Sequence, residues 1–391
     1  MAIDVGPMRR FGRSYGRRQL RVAGLSLLLV LLLAGPGTGL LAGDLPSTNL
    51  QGYGIKIFHV ESGLYPFVQV YLRSFDQNMQ PLVNLNVQNL GLMVAGRAYH
   101  PEKKQYLIQS ISNRAEACRT IVVIDTSASM KGVPFESTLK AIARFIDGKR
   151  PQDQVAIVAL ADNKDGYELV SNFERDPASL ARRLADLEAS GGSSRLYDAI
   201  ALAMQLTMAS GAGGATSDDA DYAASTSIIV FSDGKDDGSA VSRSDLMTRI
   251  SNLSVPIPIY SIAYTNVDLK FLKNLQALSK NSFGKFYDVG EAFDRMTAVL
   301  EEVQNIFRND YVVTLRAYLP VDGNEHRLKL GIEYPSGSGK FRYETARFET
   351  LEAPPLGKIL EMQTRLDQAL PRLPDNNPYM ANPFAPTLLV H

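Results

Sequence analysis

The chain has 391 residues, 45% hydrophobic and 21% charged, which is the composition of ordinary globular protein with length for two or three domains. Its 41 basic and 41 acidic residues balance overall, but six arginines crowd the first 43 residues and leave a mildly acidic body without a basic stripe. That distribution supplies no electrostatic reason to bind nucleic acid and sets that class aside.

Arg9, Arg10, Arg13, Arg17, Arg18 and Arg21 precede a leucine-dominated run from Ala23 to Ala34, the pattern of a charged region followed by an apolar one in an export signal. Residues 1–43 are therefore expected to act as a signal peptide. The apolar stretch from Ala23 to Gly43 is also about long enough to span a bilayer, with the arginines holding its N-terminus in the cytoplasm, so an uncleaved signal anchor stays open. Asp44 stands where a lipidated cysteine would follow Leu40-Leu41-Ala42-Gly43, which excludes lipidation there. The expected location is outside the cytoplasm, in the periplasm, the cell envelope or at the cell surface.

From Tyr53 to Tyr106 short apolar runs alternate with turn residues. Val68, Val70 and Leu72 share one face, Asp76-Gln77-Asn78 makes a turn, and Val83-Asn84-Leu85-Asn86-Val87 continues the alternation, so residues 44–118 read as the first part of a small β-sandwich. Cys118, the lone cysteine, cannot form an intramolecular disulfide and reads as a small buried hydrophobe before a strand. After Arg119 the pattern changes. Thr120-Ile121-Val122-Val123-Ile124 is continuously apolar, as a strand covered on both faces requires, and Val155 to Leu160, Ile228 to Phe231 and Ile257 to Tyr264 repeat it.

Helical stripes lie between these runs. Leu139, Ile142, Phe145 and Ile146 form one; Leu180, Leu184 and Leu187 form another, entered through Asp176 as N-cap with Pro177 first in the helix; Phe293, Met296, Leu300, Val303 and Phe307 line a long last helix. Alternating strands and helices predict a doubly wound, mostly parallel α/β domain over residues 119–309. Strand signal returns at Tyr311 to Leu319, Arg327 to Tyr334 and Phe341 to Phe348, so residues 310–350 are expected to complete the sandwich, with the α/β domain inserted between its two parts. Residues 351–391 form a proline-rich tail with one amphipathic stretch, Lys358 to Leu370.

Parallel sheets gather functional groups at the carboxyl ends of their strands. There, Ile121 to Ile124 runs into Asp125-Thr126-Ser127-Ala128-Ser129, and the strand ending at Phe231 runs into Ser232-Asp233-Gly234. A third loop, Gly191-Gly192-Ser193-Ser194, precedes a helix starting near Arg195. Alternation places Asp125, Ser127 and Ser129 on one side of their loop. Carboxylate and hydroxyl oxygens without nitrogen or sulfur suit a hard cation, Mg²⁺ first and Mn²⁺ or Ca²⁺ as alternatives. The four histidines are scattered and make no zinc cluster. The acidic runs Ser217 to Asp221 and Asp236-Asp237 read as solvated surface rather than further ligands.

Asp125-x-Ser127-x-Ser129 after an apolar strand resembles the DxSxS motif of the von Willebrand factor type A family. Asp233 is similar to that family's second aspartate, and Gly192-Ser193-Ser194-Arg195-Leu196-Tyr197-Asp198-Ala199 resembles its GGTxLYDA segment, with Ser194 at the threonine position. The resemblance implies a metal-ion-dependent adhesion site at Asp125, Ser127, Ser129, Ser194 and Asp233. It implies a non-enzymatic adhesion or assembly module whose protein partner offers an aspartate or glutamate carboxylate to the metal. Two other readings are a Mg²⁺-dependent phosphatase-like hydrolase and a purely structural envelope component. Aspartyl-phosphate phosphatases resemble DxDxT, and Ser127 replaces their proton-donating second aspartate, which counts against turnover.

Overall fold

The computed structural model describes residues 52–352 apart from 64, 104, 193, 212–222, 254, 265–268, 318 and 351. The expected export segment, the acidic run at 217–221 and the proline-rich tail lie outside the described residues. Two β layers and a helix-covered sheet make up the fold. In chain order the first strands are β1 (Tyr53–Glu61), β2 (Phe67–Asp76), β3 (Leu90–Val94), β4 (Arg97–Tyr99) and β5 (Tyr106–Ser110). The α/β segment follows as β6 (Ala117–Ile124), α1 (Val133–Asp147), β7 (Gln154–Leu160), β8 (Tyr167–Glu174), α2 (Pro177–Ala185), α3 (Leu196–Gly211), β9 (Ala223–Ser232), α4 (Arg243–Ser251), β10 (Ile259–Tyr264), α5 (Leu269–Asn281), β11 (Phe286–Gly290) and α6 (Arg295–Arg308). Three strands close the described chain: β12 (Tyr311–Arg316), β13 (Glu325–Ile332) and β14 (Arg342–Glu349).

The strands form three sheets. A six-stranded sheet has the order β11-β10-β9-β6-β7-β8, parallel except for β8, which runs antiparallel to β7 at the edge. β6, β7 and β10 are buried along almost their whole length, because helices cover both faces. α1, α2 and α6 pack Ile142, Phe145, Leu180, Met296 and Val303 on one side, and α3, α4 and α5 pack Ile200, Leu246 and Leu275 on the other. This is the doubly wound α/β class expected from the alternating pattern. Asp176 caps α2 as its sequence suggests, accepting hydrogen bonds from the backbone of Ala178 and Ser179.

The other two sheets are antiparallel, with orders β1-β2-β12-β5 and β14-β13-β3-β4. They share one core that includes Val68, Val70, Leu72, Leu92, Val313, Leu328 and Leu330. β12 lies between β2 and β5, and β13 pairs with β3, so strands from before and after the α/β segment are interleaved. At the junction, Arg73 of β2 pairs with Asp310 through two hydrogen bonds of 2.6 and 2.7 Å and also reaches the hydroxyl of Tyr260 on β10. The pair is almost fully buried and packs against Phe58 and Phe307.

The alternation at 83–87 does not make a strand. Val83 is exposed, Asn84 adopts a left-handed backbone with φ 59°, and Asn86 caps a short 3-10 turn at Val87–Asn89. The Asn86 side chain accepts from Gln88, and the Asn89 side chain accepts from the Asn86 backbone. Asparagine's affinity for local turn hydrogen bonds overrides the period-two pattern.

Candidate functional site

Three loops meet at the carboxyl end of the six-stranded sheet. β6 ends at Ile124, and the Asp125 backbone still donates to Phe231 of β9, which fixes its depth beside the neighbouring strand. The next residues turn away from the sheet. Ser127 forms an isolated parallel bridge with Gly191, the Ala128 backbone donates to Gly191 and the Gly191 backbone to Thr126, so the first and third loops are zipped together.

The five residues singled out from the sequence come together here. The buried Asp125 carboxylate accepts from the Ser127 backbone at 2.9 Å, from Ser232 Oγ at 2.7 Å and, at a longer 3.4 Å, from Ser194 Oγ. Ser127 Oγ and Ser129 Oγ are 2.9 Å apart, and Ser129 Oγ donates to Asp233 Oδ2 at 3.0 Å. Asp233 is 5% exposed, while Ser129 stands open to solvent, so the cluster is deep on one side and accessible on the other. Burial pushes the Asp125 carboxyl above its ordinary range; hydrogen bonds from Ser127 and Ser232 oppose that rise, and the neighbouring Asp233 charge adds to it. Neither carboxylate forms an ion pair with a described residue.

Gly234 lets the second loop turn. Its φ is +82°, and a Cβ there would stand 2.8 Å from the carbonyl oxygen of Phe271 in α5. The Gly234 backbone donates to Ser232 Oγ, which in turn donates to Asp125, while the Lys235 backbone donates to Asp233 Oδ1 at 2.8 Å. Beneath the cluster Tyr264 is fully buried with its hydroxyl 2.7 Å from Thr138 Oγ1; burial holds its pKa well above the usual value, and the Asp125 and Asp233 charges push the same way.

Other supporting residues were not picked out from the sequence. Asp198 accepts from the backbones of Ala240 and Val241, both at 2.9 Å, and pairs with Arg195 at 2.8 Å. Asp236 caps the start of α3 by accepting from the Tyr197 backbone, and the Asp237 backbone donates to the Ser194 carbonyl at 2.6 Å. These contacts lash the Asp233 loop to the Ser194 loop. Asp236 thus has a structural task rather than a purely solvated place, whereas Asp237 is exposed and pairs with Lys235. Ser232 adjoins a recognised aspartate, the one sequence cue it offers.

The donor set is oxygen only: two carboxylates, three hydroxyls and neighbouring backbone. Among the described residues no three His, Cys, Asp or Glu side chains group as metal ligands, so the fit to a cation depends on the serines. Two buried carboxylates in one hydroxyl-lined cluster, with no ion pair to a described residue, suit a hard divalent ion.

The von Willebrand factor type A domain family model matches residues 120–235, a span that begins in β6 and ends two residues after Asp233. No curated protein matches the chain. Among solved structures, the conserved hypothetical protein BatB from Bacteroides thetaiotaomicron is 16% identical, with 49% of this chain and 98% of that chain covered at a TM-score of 0.37. A von Willebrand factor type A protein from Catenulispora acidiphila is 12% identical, with 77% of this chain and 74% of that chain covered at a TM-score of 0.42.

Proposed function

We propose that this chain, which carries a von Willebrand factor type A domain at residues 120–235, is a divalent-metal-dependent protein-binding module of adhesion or assembly type. The observation that carries this reading is the buried Asp125 carboxylate, which shares one hydroxyl-lined cluster with Asp233 and has no basic counter-charge among the described residues. Asp125, Ser127, Ser129, Ser194 and Asp233 would hold the ion, Mg²⁺ in first place and Mn²⁺ or Ca²⁺ as alternatives. A bound divalent ion would supply positive charge at the solvent side of the cluster, where a partner's aspartate or glutamate could bind.

The chain's own residues prepare for that step. Ser232 and the Ser127 backbone hold Asp125 in place, Ser129 holds Asp233, and the accessible Ser129 marks the side open to a partner. Residues 9–34 support placement outside the cytoplasm, and a fusion of residues 1–60 to a reporter active only after export tests it; a silent reporter refutes that part.

The decisive experiment is calorimetric titration of the chelator-treated chain with Mg²⁺, Mn²⁺ and Ca²⁺, beside Asp125→Ala and Asp233→Ala. Binding to the wild type and none to either variant is expected. If none of the three ions binds the wild type, the metal assignment and the carboxylate-binding reading fall together. Turnover of phosphate esters by the wild type, lost in Asp125→Ala, would instead support a hydrolase.

A further inference from the structure

On the outer face of the β14-β13-β3-β4 sheet, far in sequence from the metal cluster, two aromatic rings rest on a floor of glycine. Tyr343, Gly331 and Gly91 are register partners across β14, β13 and β3. A Cβ on Gly331 would fall 2.4 Å from the Tyr343 ring, and one on Gly91 would fall 3.1 Å from the Phe341 ring. The rings therefore cover adjacent glycines, with centroids 5.6 Å apart and planes only 24° from parallel. Tyr343 remains 49% exposed. Shielding a bare strand glycine accounts for one such ring. Two neighbouring glycines place two neighbouring rings, and together the rings leave a stacked aromatic surface with Tyr343 open to solvent.

Cations border this surface. Lys329 lies one register row away, about 7 Å along β13, with its ammonium 4.3 Å from the Tyr343 ring centroid. Arg327 lies one row further and donates to Thr345 Oγ1 at 3.3 Å. Neither forms an ion pair with a described carboxylate, whereas Arg347 on the same face is neutralised by Glu325 at 2.6 Å. A paired-ring apolar surface beside two cations that form no ion pair with a described carboxylate matches a ligand with a flat C–H face and a carboxylate. An aromatic quadrupole attracts the weakly positive C–H groups of a sugar ring, and Lys and Arg attract the acid.

We propose that Phe341 and Tyr343, with Lys329 and Arg327, form a binding site for an acidic oligosaccharide, a chain of sugar rings bearing carboxylates. The Lys329 ammonium, which rests on the Tyr343 ring, swings to the carboxylate when a sugar takes its place there. This site is independent of the metal cluster, and its test is run in chelator so that the two cannot be confused.

The probe is a hexamer of galacturonic acid, titrated into the full chain by calorimetry beside a neutral galactose hexamer and a glutamate hexamer that carries charge without sugar. The acidic sugar is expected to bind at least tenfold more tightly than either control. Tyr343→Ala and Lys329→Ala should each weaken it at least tenfold. Tyr343→Ala uncovers Gly331 and could loosen the sheet, so Lys329→Ala, which leaves the ring floor in place, is the second arm, with near-ultraviolet circular dichroism reporting the fold of both. The proposal is overturned if the acidic hexamer does not bind at millimolar concentration, if either control binds as well, or if Lys329→Ala binds like the wild type.

Discussion

Asp125→Asn should make the metal-free protein more stable and make Mg²⁺ irrelevant to it. The carboxylate is fully buried, and burial raises its pKa above the ordinary aspartate value despite the hydrogen bonds from Ser127 and Ser232. The sign follows from proton linkage. Below the ordinary value both folded and unfolded states are protonated and the group costs nothing. As pH climbs from the ordinary value through the raised folded value, the unfolded chain gives up its proton more readily, so stability is lost. Each tenfold difference in proton affinity between the folded and unfolded chain is worth about 1.4 kcal/mol. Asparagine keeps the oxygen that accepts from the Ser127 backbone at 2.9 Å and turns an NH₂ toward Ser232 Oγ, which can accept, so the shape is preserved without the charge.

In chelator at pH 7 the variant should melt above the wild type, by roughly 2–4 °C for each 1 kcal/mol of penalty in a domain of about 150–250 residues. As pH rises from about 4, the ordinary aspartate value, the wild type should lose stability relative to the variant. With Mg²⁺ at one hundred times its dissociation constant the gap should shrink or reverse, because the wild type gains about 2.7 kcal/mol and the variant nothing. Thermal melts in chelator and in Mg²⁺ at each pH make the comparison. A variant that melts below the wild type in chelator, or that gains as much from Mg²⁺, would refute the reasoning.

Asp310→Ala strands the buried Arg73 guanidinium and should cost about 3–5 kcal/mol in urea unfolding, while the double variant Arg73→Met/Asp310→Leu should recover most of it; a cost under about 1 kcal/mol would show the pair to be dispensable. Cys118 is 6% exposed, and burial raises its thiol pKa to about 12, so a thiol reagent at pH 8 should leave the native chain unmodified and label it once unfolded; stoichiometric native labelling would contradict this. Gly234→Ala must strain a φ of +82° and displace the Phe271 carbonyl, so it should weaken Mg²⁺ binding at least tenfold by moving Asp233; unchanged calorimetric affinity would mean that the loop turns without glycine.

What the sequence disclosed follows from where each signal resides. β6, β7 and β10 are covered by helices on both faces, and that burial forces uninterrupted apolar runs which stand out in any window. β8 passes unnoticed because it is an antiparallel edge whose Glu168 and Leu169 face solvent, so no burial pattern marks it. The run at 83–87 shows the opposite failure, where alternation without cover yields to asparagine turn chemistry. The same division governs the site. Asp125, Ser127 and Ser129 lie within five residues after an apolar strand, so their convergence is local and visible in the spelling of the chain. Ser232, Asp198 and Asp236 act across gaps of 39 to 107 residues, holding backbone or carboxylate on other loops. Such a contact leaves no periodicity and no fixed spacing. The atoms fitted to a ligand can thus be read from three short motifs, whereas those that keep them in register appear only when the sheet brings the three loops to one end. The functional variants most easily missed by sequence reasoning are therefore in this supporting set. Asp198→Asn, which leaves every proposed metal oxygen in place, should lower Mg²⁺ affinity through the Ser194 loop; an affinity equal to the wild type would show that the loops hold their register without it.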